Sequence, residues 1–379
     1  MAIEIREHVP GKDVTPFVRA ADVVFDGDPA WVPPLDLEIG DRLSPAKNPF
    51  FKRGEAALFT AWKDGRVVGR CSASLDREHL KLWNDDTGFF GFFDTIDDEE
   101  VARALLDRAE AWLRGKGMRR AIGPAGLYMN EEVGILVEGF EHPPMISMAH
   151  SRAWQARLAE TCGYVKEKDL FAWRYDATTD FNARTLRAWE AIRALPEVKL
   201  RSVDMSRMRE ELAAVLEIYN DAWAGKWGFV PVRPDELDKM VEDMKLVLDP
   251  DIAFIAEIDG KPAGMCIMVP NLNEAIFDLG GSLFPFGWAK LLWRIKVKHP
   301  KTTRLILLGI RKDIRHNMKR YGGLSAAMYV EVAKRGVAKG YAWSELGWTR
   351  EDDSPINLGI KSMGAKVYKR YRVYAKALA

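Results

Sequence analysis

The sequence predicts an α/β fold in which helices alternate with the strands of a mixed α+β sheet, written twice in one chain. Three observations predict it. Residues 59–71 (FTAWKDGRVVGRC) and 254–266 (FIAEIDGKPAGMC) repeat Phe, Ala, Asp, Gly, Gly and Cys at one constant spacing, and self-similarity at a fixed offset marks a repeated architecture. The flanks of both stretches carry the same succession of strand-like and helix-like patterns. The 379 residues suffice for two domains of roughly 100–200 residues, each able to bury a core.

The elements follow in order. IEIREH (3–8) and VKLRSV (198–203) read as short strands entering a helix. The first helix is expected near Asp13–Val24. Its counterpart carries Met208, Leu212, Leu216, Tyr219 and Trp223 at helical spacing. Each repeated stretch is a hairpin, because Asp64-Gly65 and Asp259-Gly260 are two-residue turn signals. Gly69 and Gly264 inside the second strands signal a bulge or a close backbone approach. A strand, a helix ending in Lys-Gly and another strand follow: Phe89–Phe93, Val101–Lys116 and Arg119–Ile122, then Leu305–Ile310, Leu324–Lys339 and Ala342–Leu346. Each half closes on a glycine and a strand, CGYVKEKDLFAWRY (162–175) and MGAKVYKRYRVYAK (363–376), and a helix over Ala183–Ala194 joins the halves. The expected domains are 1–176 and 177–379.

Composition narrows the function. The net charge is +1, so no global field draws in nucleic acid, and none is expected as a partner. Three cysteines without a C-x-x-C pair argue against a disulfide framework or a zinc site, and the six histidines form no ligand spacing. No metal is expected. MAIEIREHVPGKD lacks a signal-peptide core and no apolar run reaches the roughly 18–20 residues of a spanning helix, so the expected location is the cytoplasm. Metalloprotease, Walker-loop and G-x-S-x-G motifs are absent from the sequence.

This order of elements resembles the GNAT fold, that of the Gcn5-related N-acyltransferases, in tandem. In that family acyl-CoA pyrophosphate sits at the N-terminus of the central helix, where free N–H groups and the positive helix end bind an anion, under a Gln/Arg-x-x-Gly-x-Gly/Ala pattern. The second half reads GIRKDIRHNMKRYGGLSAAM (309–328), with Arg320-x-x-Gly323-x-Ser325 and five cations against Asp313 between 311 and 320. The resemblance implies acyl-CoA or acetyl-CoA as co-substrate there, held by Ile310, Arg311, Arg315, Arg320, Tyr321, Gly322, Gly323, Leu324 and Ser325. The family loop is shorter, so Arg315 is the alternative match to Arg320. The first half reads GFFDTIDDEEVARALL (91–106), where Asp97 and Glu100 fit a cap and five carboxylates repel phosphate. Only the second half is therefore expected to bind the cofactor.

Acyl transfer to an amine needs a proton acceptor, a polarised carbonyl and a proton for the leaving thiolate. Glu345, near the point where the sheet opens, is the candidate base, against the alternative of a strand glutamate paired with a cation. Asp353 stands eleven residues before Gly364, where family members carry a cofactor-contacting Asn. The family's acidic tyrosine is replaced by Ile360, which leaves Tyr368, Tyr371 and Tyr374 as donors, with Tyr371 the candidate and a core role the alternative for each.

Three segments point to the acceptor. IGPAGLYMNEEVGILVEGFEHPPMI (122–146) is a long loop offering Asn130, Glu131 and Glu132. YNDAWAGKWGFVP (219–231) offers Trp223, Trp227 and Phe229 as apolar walls, or as ordinary core. GGSLFPFGWAKLLWRIKVKHPK (280–301) interleaves aromatic and basic residues, including Trp288, and residues 283–298 have the composition of an interfacial helix that touches lipid peripherally at the inner membrane face; a helix packed between the halves is the other reading. Together, residues 123–140, Pro285-Phe286-Gly287-Trp288 and Trp348-Thr349-Arg350-Glu351-Asp352 resemble motifs of a bacterial tandem GNAT group that includes the ceramide synthases. That resemblance implies N-acylation of a long-chain amine by a fatty acyl-CoA. A tandem GNAT transferase using aminoacyl-tRNA and a degenerate, non-catalytic binding protein stay open as alternatives.

Overall fold

In the computed structural model, which describes residues 3–378, the chain begins with β1 (Glu4–His8), α1 (Thr15–Val24) and α2 (Asp36–Arg42). Proline in its first turn suits the start of α1, and its buried face carries Phe17, Ala20, Ala21 and Val24 at helical spacing. The first hairpin is β2 (Gly54–Lys63) and β3 (Arg66–Asp76), followed by α3 (Arg77–Trp83), β4 (Thr87–Thr95), α4 (Glu99–Gly115) and β5 (Arg120–Gly123). β6 (Ile135–Glu138), α5 (Trp154–Thr161) and β7 (Val165–Asp176) complete the first half.

The second half repeats the plan after α6 (Ala183–Arg193): β8 (Val198–Ser202), α7 (Met208–Trp223), α8 (Leu237–Val247), then the hairpin β9 (Ala253–Ile258) and β10 (Lys261–Pro270). The insertion holds α9 (Asn273–Ile276) and α10 (Gly287–Trp293). β11 (Thr302–Ile310) leads through two short helices, α11 (Lys312–His316) and α12 (Met318–Tyr321), into the long α13 (Leu324–Ala338). β12 (Trp343–Arg350), α14 (Ser354–Ser362) and β13 (Lys366–Ala377) end the chain.

The repeated stretches fold alike in detail. At both turns Asp and Gly take positive φ, 54° and 74° for Asp64-Gly65, 50° and 74° for Asp259-Gly260, the mirror-image turn that suits the twist of a hairpin. Phe59 faces Cys71 across the first hairpin and Phe254 faces Cys266 across the second, and all four are fully buried. Burial holds both thiols well above the ordinary range, so they behave as small core residues. A Cβ on Gly69 would come within 2.9 Å of the Asp94 carbonyl and 3.0 Å of Leu105; one on Gly264 would come within 3.2 Å of the Gly309 carbonyl and of Met328. In each copy the glycine lets the next strand and the central helix approach. The shared letters of the sequence are packing requirements met twice.

Two compact units emerge, Met1–Leu170 with Ile276–Leu292 and Lys369–Ala379, and Phe171–Ala275 with Trp293–Tyr368. In the first, the strands run β1-β2-β3-β4-β5-β13, with β6 also on β13; in the second they run β12-β11-β10-β9-β8. Consecutive blocks 1–176 and 177–379 do not describe this division. The period-two pattern of KVYKRYRVYAK marks a strand but not its partner, and Tyr374–Ala377 pair with Arg120–Gly123 of the first unit. The insertion counts with the first unit as far as Leu292, where the Asp36 N–H donates to the Gly281 carbonyl at 2.9 Å. The first half also has its own helix, α3, between hairpin and next strand.

Candidate functional site

The second unit opens its sheet next to α13. β11 and β12 pair in parallel over four positions, from Thr302 with Trp343 to Leu305 with Leu346. Beyond them β11 continues to Ile310 against β10, and β12 continues to Arg350. Parallel strands that part at their carboxyl ends leave the crevice where α/β proteins bind ligands. α13 begins after β11 with Gly323 as its N-cap residue and no side chain capping it, at the positive end of a 15-residue helix.

The basic loop is fastened to the end of α7. The Lys312 amide donates to Asp221 at 2.6 Å, the Lys312 ammonium to the Ala224 carbonyl at 3.3 Å, and Arg311 pairs with Glu217 at 2.7 Å. Trp223 lies on β11, since a Cβ on Gly309 would sit 2.5 Å from its ring. Trp223 also stacks on Tyr219 at 4.9 Å, and Phe229 packs on the same tyrosine. Thus Trp223 lies against Gly309 and, like Trp227, is half-buried, whereas Phe229 is core.

The two candidate arginines part company. Arg320 is tied to Glu197, at 2.6 Å from Nε and 2.5 Å from Nη2, and the Tyr321 hydroxyl meets the same carboxylate at 3.4 Å. Arg315 instead lies near enough to Lys226 for its charge to act on that ammonium. The Lys226 ammonium and the Arg350 guanidinium each stand 3.6 Å from Asp353 Oδ2. Burial pushes the Lys226 ammonium down from its ordinary range; Asp353 opposes this, and the positive charges of Arg315 and Arg350 add to it. Two cations thus meet at Asp353, a third, Arg315, acts on Lys226, and Asp352 stands 3.6 Å from Arg350. Positive charge gathered around a half-buried lysine suits a polyanion such as a pyrophosphate. Lys226 and Arg350 carried no pattern in the sequence; Arg350 lies within the Trp348–Asp352 motif and Lys226 between two tryptophans.

Glu345 is fully buried on β12, one position before the strands part. Its Oε1 pairs with Arg304 at 3.0 Å, across the rung the two residues share, and its Oε2 accepts from the Tyr368 hydroxyl at 2.5 Å. Tyr368, half-buried and edge-on to Trp343, is therefore the tyrosine that meets Glu345. Tyr371 belongs to the first unit, fully buried opposite Leu136 of β6. The period-two pattern separated the two faces of β13 but not the unit each residue serves.

The first unit treats the same place in the opposite way. Asp98 caps α4, accepting from the amides of Glu100 and Val101, and pairs with Lys63 at 2.7 Å. The expected cap, Asp97, instead pairs with Arg157. β4 and β5 pair only over Thr87–Phe89 and Arg120–Ile122. Beyond, the chain fills the gap itself: the Ala125 amide donates to the Phe90 carbonyl at 2.8 Å, and a Cβ on Gly91 would lie 1.7 Å from the Ala125 oxygen. The loop that follows is held by buried Arg42, which pairs with Glu131 at 2.9 Å and Glu132 at 3.4 Å, while Glu131 also accepts from the Leu127 amide at 2.7 Å. These carboxylates support the loop. Asn130, Glu132 and Trp288 all belong to this unit and the cation cluster to the other. Among the described residues no group of His, Cys, Asp and Glu has the arrangement of a metal site.

No family model matches the chain. It is 41% identical over 355 residues to a protein named bacterial ceramide synthase from Caulobacter vibrioides, covering 93% of this chain and 91% of that protein. It is 38% identical over 381 residues to Protein YghO of Escherichia coli, covering 99% and 95%. Among solved structures it resembles a tandem GNAT protein from the clavulanic acid biosynthesis pathway, with a TM-score of 0.58 at 12% identity over 100% of this chain and 99% of that one. A GCN5-related N-acetyltransferase from Sphaerobacter thermophilus gives a TM-score of 0.53 at 14% identity, covering 99% and 96%. The repeated fold, the single uncapped central helix and these relatives agree: the chain belongs to the tandem GNAT proteins, in the group of the bacterial ceramide synthase.

Proposed function

We propose that this protein is an N-acyltransferase that moves a fatty acyl group from acyl-CoA to the primary amine of a long-chain, sphingoid-like base. The observation that supports the donor is the meeting of Lys226 and Arg350 at Asp353, with Arg315 acting on Lys226, in the unit whose central helix α13 has no side-chain cap. These residues and the backbone of Gly323–Ser325 would hold the pyrophosphate. The first unit closes its equivalent crevice with its own backbone, so one donor binds per chain. The acceptor class rests on the relative named ceramide synthase, since a ceramide is the amide of a fatty acid with a long-chain amino alcohol.

Acyl-CoA supplies the activated thioester. The amine nitrogen bonds to the thioester carbon, the carbon–sulfur bond breaks, the amine sheds a proton, and the thiolate takes one up. Glu345 has no solvent exposure, so a proton reaches it through Tyr368: the phenol passes its proton to the carboxylate as it accepts one from the amine. Arg304 holds that carboxylate in place. Purified protein with palmitoyl-CoA and sphinganine is expected to release free thiol and yield the N-acylated amine by mass spectrometry. Thiol release with no amide, or an amide formed only on short polar amines, would overturn the acceptor assignment.

A further inference from the structure

The insertion between β10 and β11 presents a short, continuous run of large apolar side chains to solvent. Phe284, Phe286, Trp288 and Leu292 are 86%, 77%, 55% and 51% exposed, and Val297 beyond them is 64% exposed. Single exposed apolar residues are ordinary; a consecutive group of them marks an interaction surface. The run is not a loose tail. Gly281 at its base is buried and accepts from the Asp36 amide at 2.9 Å, and Lys290 on α10 pairs with Asp278 at 2.6 Å. The charge around it is one-sided: residues 277–298 hold Lys290, Arg294, Lys296 and Lys298 against the single carboxylate Asp278. Lys296 and Lys298 are exposed.

We propose that residues 284–298 dock the protein on an anionic lipid bilayer, with Phe284, Phe286 and Trp288 entering the headgroup–acyl boundary and Lys296 and Lys298 meeting lipid phosphates. Aromatic side chains on a fixed base favour the interfacial zone, where an apolar ring and a wet edge are both satisfied. Flanking lysines add attraction to an anionic surface that decays within a Debye length. A protein partner of comparable apolar demand would need no such excess of cations. Among the described residues no helix is long and apolar enough to cross a membrane, so this attachment is to the surface. The proposal does not depend on acyl transfer; it concerns where the protein sits.

The test is sedimentation of the full chain with phosphatidylcholine vesicles and with vesicles that also contain phosphatidylglycerol. The protein is expected to sediment with the second and to be released as salt is raised. F284S/F286S should lower the partition by at least about tenfold, and K296E/K298E should abolish the preference for the anionic vesicles. Melting curves matching the parent establish that both variants fold; should the phenylalanine pair melt early, the lysine pair alone decides. No sedimentation with anionic vesicles, lysine variants that bind as the parent does, or a parent dimer that F284S/F286S converts to monomer would each overturn the proposal.

Discussion

Arginines 315 and 320 lie five residues apart in a loop where both fit a phosphate-binding pattern, yet their surroundings differ. Arg320 completes an ion pair with Glu197, while Arg315 adds its charge beside Lys226, which with Arg350 meets Asp353. Arg315→Glu should weaken acyl-CoA binding by at least about tenfold, since it removes one charge-assisted contact and adds a repulsion. Arg320→Ala should change it by less than about threefold. Titration calorimetry on both variants separates them. The spacing in the sequence matched Arg320 because a pattern counts residues along a line and does not register Glu197 as its ion-pair partner. Glu345 was singled out by its position on the strand after the central helix, but its partners were not. Arg304 is 41 residues away and Tyr368 23 residues away. Tyr368→Phe removes one hydroxyl and should lower kcat by about a hundredfold or more with KM nearly unchanged. Glu345→Ala strands a buried guanidinium and should cost about 3–5 kcal/mol in denaturant unfolding.

Elements show how one plan was bent to two uses. Each hairpin, each central helix and each closing glycine was legible, because turn chemistry and helical spacing are local signals. What fills the first unit's crevice was not. Residues 122–146 look in sequence like an open loop for ligands, but Ala125 lies on Gly91 and Arg42 holds the two glutamates. Gly91→Ala would force backbone against backbone and should destabilise the protein by about 1–3 kcal/mol or more, measured by urea unfolding. The first unit also carries His150, almost fully buried, its Nε2 3.0 Å from Asp28. Burial holds the imidazole below its ordinary range, with Lys369 acting the same way against the pull of Asp28 and Asp94. Burial also pulls Asp28 upward, but the hydrogen bonds from His150 and the Ala30 amide outweigh it and keep the carboxyl low. Both folded-state values lie below the unfolded ones, so the unfolded chain binds more protons as pH falls. Their stability is fully present above about 6.5 and is lost on acidification through the folded-state value. Urea midpoints should therefore fall between about pH 7 and pH 5, and the fall should be smaller in His150→Gln.

At the scale of the whole molecule the chain is a repeat whose copies differ at the start of the central helix. The same hairpin, bulged at the same glycine, leads in one copy to a helix capped by Asp98 and in the other to a helix left open at Gly323. The first closes over its own backbone; the second keeps a crevice and gathers cations beside it. The doubling was legible, and so was the contrast between acidic and basic residues before the two central helices. The exchange of the last strand was not, because an alternating pattern names no partner. Binding stoichiometry measures this asymmetry directly. Titration calorimetry of the full chain with palmitoyl-CoA should give one site per chain, abolished in Arg315→Glu with Gly323→Glu and untouched by Asp98→Asn. Two sites per chain, or a single site that survives the double substitution, would contradict the account.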